Sequence, residues 1–106
     1  MQLNPHNSDA VNVVVRSREG LAFASLEQSQ LDSVYLKISA SFRVCPHGLI
    51  SLVFSFRGCL YTLPARIKCV DHHGCWARFD NPSQQGVDAL HGLCNSSRTL
   101  RRYLAA

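Results

Sequence analysis

Leu49-Ile50-Ser51-Leu52-Val53-Phe54-Ser55-Phe56, Arg57-Gly58-Cys59, Leu60-Tyr61-Thr62-Leu63-Pro64-Ala65-Arg66-Ile67-Lys68-Cys69-Val70, Asp71-His72-His73-Gly74 and Cys75-Trp76-Ala77-Arg78-Phe79 run on without a break, and this stretch decides the fold. Three apolar, β-branched and aromatic runs are separated by two short turns, each holding a glycine. That is the signature of strands joined in hairpins, with no room for a helix between them. Leu49 to Phe56 reads as one strand, Leu60 to Val70 as the next and Cys75 to Phe79 as the last. Ala65, Ile67 and Cys69 are expected to share one face, opposite Arg66 and Lys68. Pro64 cannot donate to a ladder, so it is expected to mark a bulge, an edge or a bend.

Working outward, Val34-Tyr35-Leu36-Lys37-Ile38 alternates, with Tyr35 and Lys37 facing away from the apolar side. Ala10 to Arg16 is another strand. It turns at Ser17-Arg18-Glu19-Gly20 into Leu21 to Leu26, where Leu21, Phe23 and Ser25 share a face. Glu27 to Ser33 is polar and is expected to be a loop. Ser39 to Gly48 is a connection with a short extended piece at Phe42-Arg43-Val44. Downstream, Asn81-Pro82-Ser83 stops the last strand, with Ser83 the expected N-cap. Val87, Leu90, Leu93 and Cys94 then recur at helical spacing. Gly86 and Gly92 each weaken that helix by about 1 kcal/mol relative to alanine. A second helical piece is expected over residues 98–104. Six short strands followed by helix predict an all-β chain with a C-terminal helix, built as a six-stranded antiparallel barrel. The helix is expected to cover one mouth or one side. Residues 1–9 form a polar arm and residues 10–104 a single domain.

Composition excludes several classes. The chain has 106 residues, 46% hydrophobic and 17% charged, with a formal net charge of +4. That is apolar enough to fold and too short for a second domain. No run approaches the roughly 20 apolar residues of a membrane span. No basic segment precedes an apolar core at the N-terminus, so a cytoplasmic chain without membrane insertion is expected. Five cysteines, an odd number, argue against a disulfide framework and for reduced, mostly part-buried thiols.

Four constellations bear on chemistry. Cys69, His72, His73 and Cys75 are soft or borderline ligands close together. They surround one hairpin turn and no second cluster matches them. The preferred reading is therefore two core-facing cysteines and two solvent-exposed histidines, with no metal. No cysteine lies at a helix N-terminus or strained elbow that would lower its pKa. The acidic residues form no acid–base pair and no glycine-rich phosphate loop is present, so a non-catalytic chain is expected. Arg66, Lys68, Trp76 and Arg78 on adjacent strands make a conceivable basic row for nucleic acid. At +4 and 8% aromatics, an ordinary polar outer face is the simpler reading.

Leu49 to Phe56, Leu63 to Asp71 and Gly74 to Asp80, followed by Ser83 to Leu93, resemble the closing three strands and C-terminal helix of a PilZ domain. The polar segment at Glu27 lies where that family has its ligand loop. The resemblance covers roughly residues 10–94, by pattern rather than by invariant motif. It implies a six-stranded bacterial barrel, and in many members a cyclic di-GMP site. That site uses Arg-x-x-x-Arg in the arm before the first strand and (Asp/Asn)-x-Ser-x-x-Gly after the second. Guanidiniums clamp phosphates, and the second motif offers short polar groups and close backbone approach.

This sequence departs from both motifs. Met1 to Asp9 contains no arginine. Of Glu27-Gln28-Ser29-Gln30-Leu31-Asp32 only Ser29 matches, and Glu27 and Asp32 add carboxylates near a dianionic ligand. Arg16 and Arg18 follow the first strand with the wrong spacing. Asn81-Pro82-Ser83-Gln84-Gln85-Gly86 fits the second motif by letter but sits at the helix start. The resemblance therefore implies a divergent member without cofactor that acts by protein–protein contact, as an adaptor in pilus, motility or biofilm signalling, with a homodimer as one form that contact can take. Two alternatives remain: a cyclic di-GMP receptor with an altered site using Ser29 with Arg16, Arg18 or a C-terminal arginine, and a small basic nucleic-acid-binding barrel.

Overall fold

The computed structural model describes residues 11–30, 32–39 and 44–105. The expected arm over residues 1–9 and most of the extended piece at 42–44 lie outside them. The strands are β1 (Val11–Ser17), β2 (Gly20–Gln30), β3 (Ser33–Ile38), β4 (Leu49–Phe56), β5 (Cys59–Asp71) and β6 (Gly74–Phe79). One helix, α1 (Gln84–Ala105), follows. The strands close into a barrel in the order β1-β2-β3-β6-β5-β4, with every neighbouring pair antiparallel. Closure gives every strand two ladder neighbours.

Alternation builds the core. Val11, Val13 and Val15 of β1, Ile50, Leu52 and Phe54 of β4, and Leu63, Ala65 and Ile67 of β5 point inward and are buried. Each buried aliphatic side chain contributes about 1.5–3 kcal/mol. Where the strands crowd, alanines fill the interior: Ala22 and Ala24 on β2, and Ala77 on β6.

Turns follow local chemistry. Arg57 and Gly58 both hold positive φ, 52° and 79°, in the two-residue turn between Phe56 and Cys59. This geometry matches the twist of the strands it joins. At the β5–β6 turn, Asp71 Oδ1 accepts the backbone N–H groups of His73 at 2.8 Å and Gly74 at 3.1 Å. Ser83 caps α1, its Oγ accepting from Gly86 N at 3.1 Å.

Four expectations are corrected. The segment from Glu27 is not a loop, because β2 continues through Gln30 with a register shift between Glu27 and Gln30. Polar side chains are tolerated there because β3 supplies the ladder partners. The irregularity expected at Pro64 falls instead between Ile67 and Cys69, while Pro64 stays in register opposite Ser51. That shift turns Cys69 outward, so it does not share the buried face of Ala65 and Ile67. Tyr35 faces outward as expected and is buried there, because Trp76 lies over it with ring centroids 4.7 Å apart. The two expected helical pieces are one continuous helix.

That helix closes one mouth of the barrel, packing on β1, β4 and β5. Leu90 and Cys94 enter the core cluster. A Cβ at Gly86 would lie 2.5 Å from Leu63 Cδ2, and one at Gly92 would lie 2.5 Å from Phe56 Cζ. The two glycines that weaken the helix by propensity let it seat on the barrel. Among the described residues no helix is long and apolar enough to cross a membrane.

Candidate functional site

β2 runs the length of the barrel, and the candidate ligand residues lie at its two ends. Arg16 stands opposite Leu21, and Arg18 lies in the turn just beyond. Glu27 pairs with Tyr35 near the far end, and Asp32 sits in the β2–β3 turn. Six residues of strand separate Leu21 from Glu27, about 20 Å. Arg16 and Arg18 therefore stand at the opposite end of β2 from Glu27 and Asp32.

The Asp32 end borders a groove of about 520 Å³ between β6 and the start of α1. Phe79, Pro82 and Val87 line its apolar part, and Asp32, Arg78 and Asp88 its charged part. Asp32 Oδ2 accepts from Arg78 Nη2 at 3.3 Å, an exposed ion pair. Asp88 accepts from Gln84 Nε2 at 2.9 Å. Two carboxylates thus face one arginine that is already engaged, so the groove disfavours an anionic ligand. Beside it, Gln28 Nε2 lies 2.9 Å from His91 Nε2, and Cys94 Sγ donates to Gln28 Oε1 at 3.8 Å. Gln28 therefore ties β2 to α1.

The β5–β6 turn separates the four candidate metal ligands. Cys75 is buried and Cys69 exposed, while His72 and His73 are exposed with rings 4.0 Å apart. Among the described residues, no group of three or more histidine, cysteine or acidic side chains could hold a metal ion. Burial, with Cys69 and Asp71 nearby, pushes the Cys75 thiol up to about 11, so at neutral pH it is an uncharged core group. Burial first, then the Asp71 and Glu27 carboxylates, raises the Tyr35 phenol as well. Cys45 and Cys59 are exposed rather than part-buried.

The structure does bring the basic row together. Arg66 and Arg78 are direct cross-strand neighbours, and Lys68 and Trp76 are exposed on the same two strands. Each arginine is already answered by a carboxylate: Arg66 by Asp80 at 3.7 Å and Arg78 by Asp32 at 3.3 Å. Arg66 Nη1 also donates to the His47 carbonyl at 3.1 Å.

One feature escaped the sequence reading. Leu21 is 69% exposed and Phe23 77%, side by side on the outer face of β2. Phe23 stands opposite Val14, which stands opposite Val53 of β4, so an apolar row crosses three strands. Alternation put Leu21 and Phe23 on one face and Ala22, Ala24 and Leu26 on the other, without saying which faced inward. The two alanines were the available signal, since a narrow barrel interior favours small side chains.

A scan against protein-family models, a search of curated proteins and a search of solved structures each returned no match to this chain.

Proposed function

We propose that this chain is a PilZ-like bacterial adaptor that acts by protein–protein contact, without catalysis and without cyclic di-GMP. The observation that supports this reading is the outer face of β1 and β2. Two large apolar side chains there, Leu21 and Phe23, are more than two-thirds exposed, although the interior has its own complete aliphatic core. An exposed apolar patch on a small folded domain marks an interaction surface. The resemblance supports pilus assembly, motility or biofilm control as its setting.

The loss of a nucleotide switch fits the other end of β2. Asp32, where the family motif has glycine, lies against Arg78, and the neighbouring groove carries Asp88 as well. Calorimetric titration of the purified chain with cyclic di-GMP at moderate salt tests this. No heat is expected. Micromolar binding, about −8 kcal/mol, would overturn the reading in favour of a receptor with a rebuilt site, with Arg78 released from Asp32 as its first candidate contact.

A further inference from the structure

We infer that the outer face of β1 and β2 takes a segment of a partner protein that presents apolar side chains and carboxylates together on one face. This rests on the protein-contact reading above and adds the chemistry of the partner. Leu21, Phe23, Val14 and Arg16 form a block of cross-strand neighbours, Leu21 opposite Arg16 and Phe23 opposite Val14. Opposed Cβ atoms lie about 5 Å apart, and successive outward residues on one strand about 7 Å apart. The Arg16 guanidinium therefore belongs to the apolar patch, and Arg18 stands at its end in the turn.

Which arginines already have a partner identifies the occupant. Arg57 lies over the Phe56 ring at 5.0 Å, Arg66 pairs with Asp80, and Arg78 pairs with Asp32. Arg16 and Arg18 have no hydrogen-bond, ion-pair or ring partner among the described residues. Two unanswered guanidiniums beside an exposed phenylalanine and leucine match the arginine and aromatic anchors that dominate protein interfaces. Their complement is a partner that brings apolar side chains to Leu21 and Phe23 and carboxylates to Arg16 and Arg18.

Other occupants fit less well. A second copy of the chain would bring the two arginines of each face together, on molecules already carrying +4. Anionic membranes are held by clusters of about four to eight basic residues, and this patch has two, with Glu19 in the same turn. Nucleic acid likewise draws affinity from many phosphate contacts.

The test uses the full chain, ¹⁵N-labelled, with three synthetic peptides of about ten residues, a strand's length: serine at every second position, and on the other face leucine in one half and glutamate, glutamine or lysine in the other half, giving leucine–glutamate, leucine–glutamine and leucine–lysine peptides. The leucine–glutamate peptide is expected to bind most tightly and to shift the amides of residues 14–23. The Arg16→Gln/Arg18→Gln variant is expected to weaken it about tenfold, and Arg16→Glu/Arg18→Glu to transfer preference to the leucine–lysine peptide. Arg16, Arg18 and Phe23 are exposed, and an unchanged melting curve verifies folding. Equal affinity for the glutamate and glutamine peptides would overturn the acidic partner while leaving protein contact standing. No shift with any peptide at millimolar concentration would overturn it too. Vesicle binding that Phe23→Ser abolishes, or a dimer in sedimentation that the same change dissociates, would give the face to another occupant and overturn it. Heat with cyclic di-GMP would instead strike the underlying function.

Discussion

Two apolar surfaces of this barrel have opposite fates. At one mouth, Leu63 and Phe56 meet α1, and Gly86 and Gly92 let the helix backbone approach within contact distance. On the outer wall, Leu21 and Phe23 stay more than two-thirds exposed. Covered apolar surface stabilises the fold, because water is removed from it. Bare apolar surface gives no such stabilisation and is available to a partner. The difference separates residues that hold the molecule together from residues positioned to act.

The contrast is open to breakage, starting with the covered side. Leu63→Ala is expected to cost about 2–5 kcal/mol in urea unfolding, since Leu63 is fully buried under the helix. A loss below about 1 kcal/mol would mean that α1 is not seated there. Gly86→Ala should destabilise by about 1–3 kcal/mol through the clash with Leu63, against the gain of about 1 kcal/mol that alanine brings to an unhindered helix. Net stabilisation would show a looser contact. Ser83→Ala removes the N-cap and is expected to cost about 1 kcal/mol.

Alkaline pH sharpens the same side of the comparison. The folded-state pKa of Cys75 is raised from 9.0 to about 11. Its contribution to stability is complete below pH 9 and is lost as pH rises towards 11, because the unfolded chain releases the proton first. The raised Tyr35 phenol acts in the same direction. Denaturant midpoints measured across this range should fall for the parent chain and less steeply for Cys75→Ala.

The smallest effect belongs to the bare surface. Leu21→Ser/Phe23→Ser should change stability by no more than about 0.5 kcal/mol while abolishing peptide binding. A large loss of stability would show that the face is covered in the folded chain, and the contrast would collapse.

Much of the fold was legible in the sequence because alternation and turn chemistry are local. Leu49 to Phe56 is β4 residue for residue, and Ser83 is the helix cap. What was misread depended on partners. Glu27 to Gln30 looked like a loop because its polar side chains hide a backbone that pairs with β3. Cys69 was placed with Ile67 because strict alternation cannot register a bulge that the β6 pairing imposes. At the candidate site, the degenerate residues Glu27 and Asp32 could be named from the sequence. Their distance from Arg16 and Arg18 could not, nor could the Asp32–Arg78 pair.

The sequence by itself determined that this chain makes six short strands and a C-terminal helix, because apolar periodicity and glycine-containing turns act over a few residues. Only the tertiary structure decided which face of each strand looks inward. Period two marks two faces without ranking them, and closure into a narrow barrel took the alanines of β2 inside and left Leu21 and Phe23 in water. Closure also decided which arginines find a carboxylate, since Asp32 and Arg78 lie 46 residues apart in sequence and meet only when β3 pairs with β6.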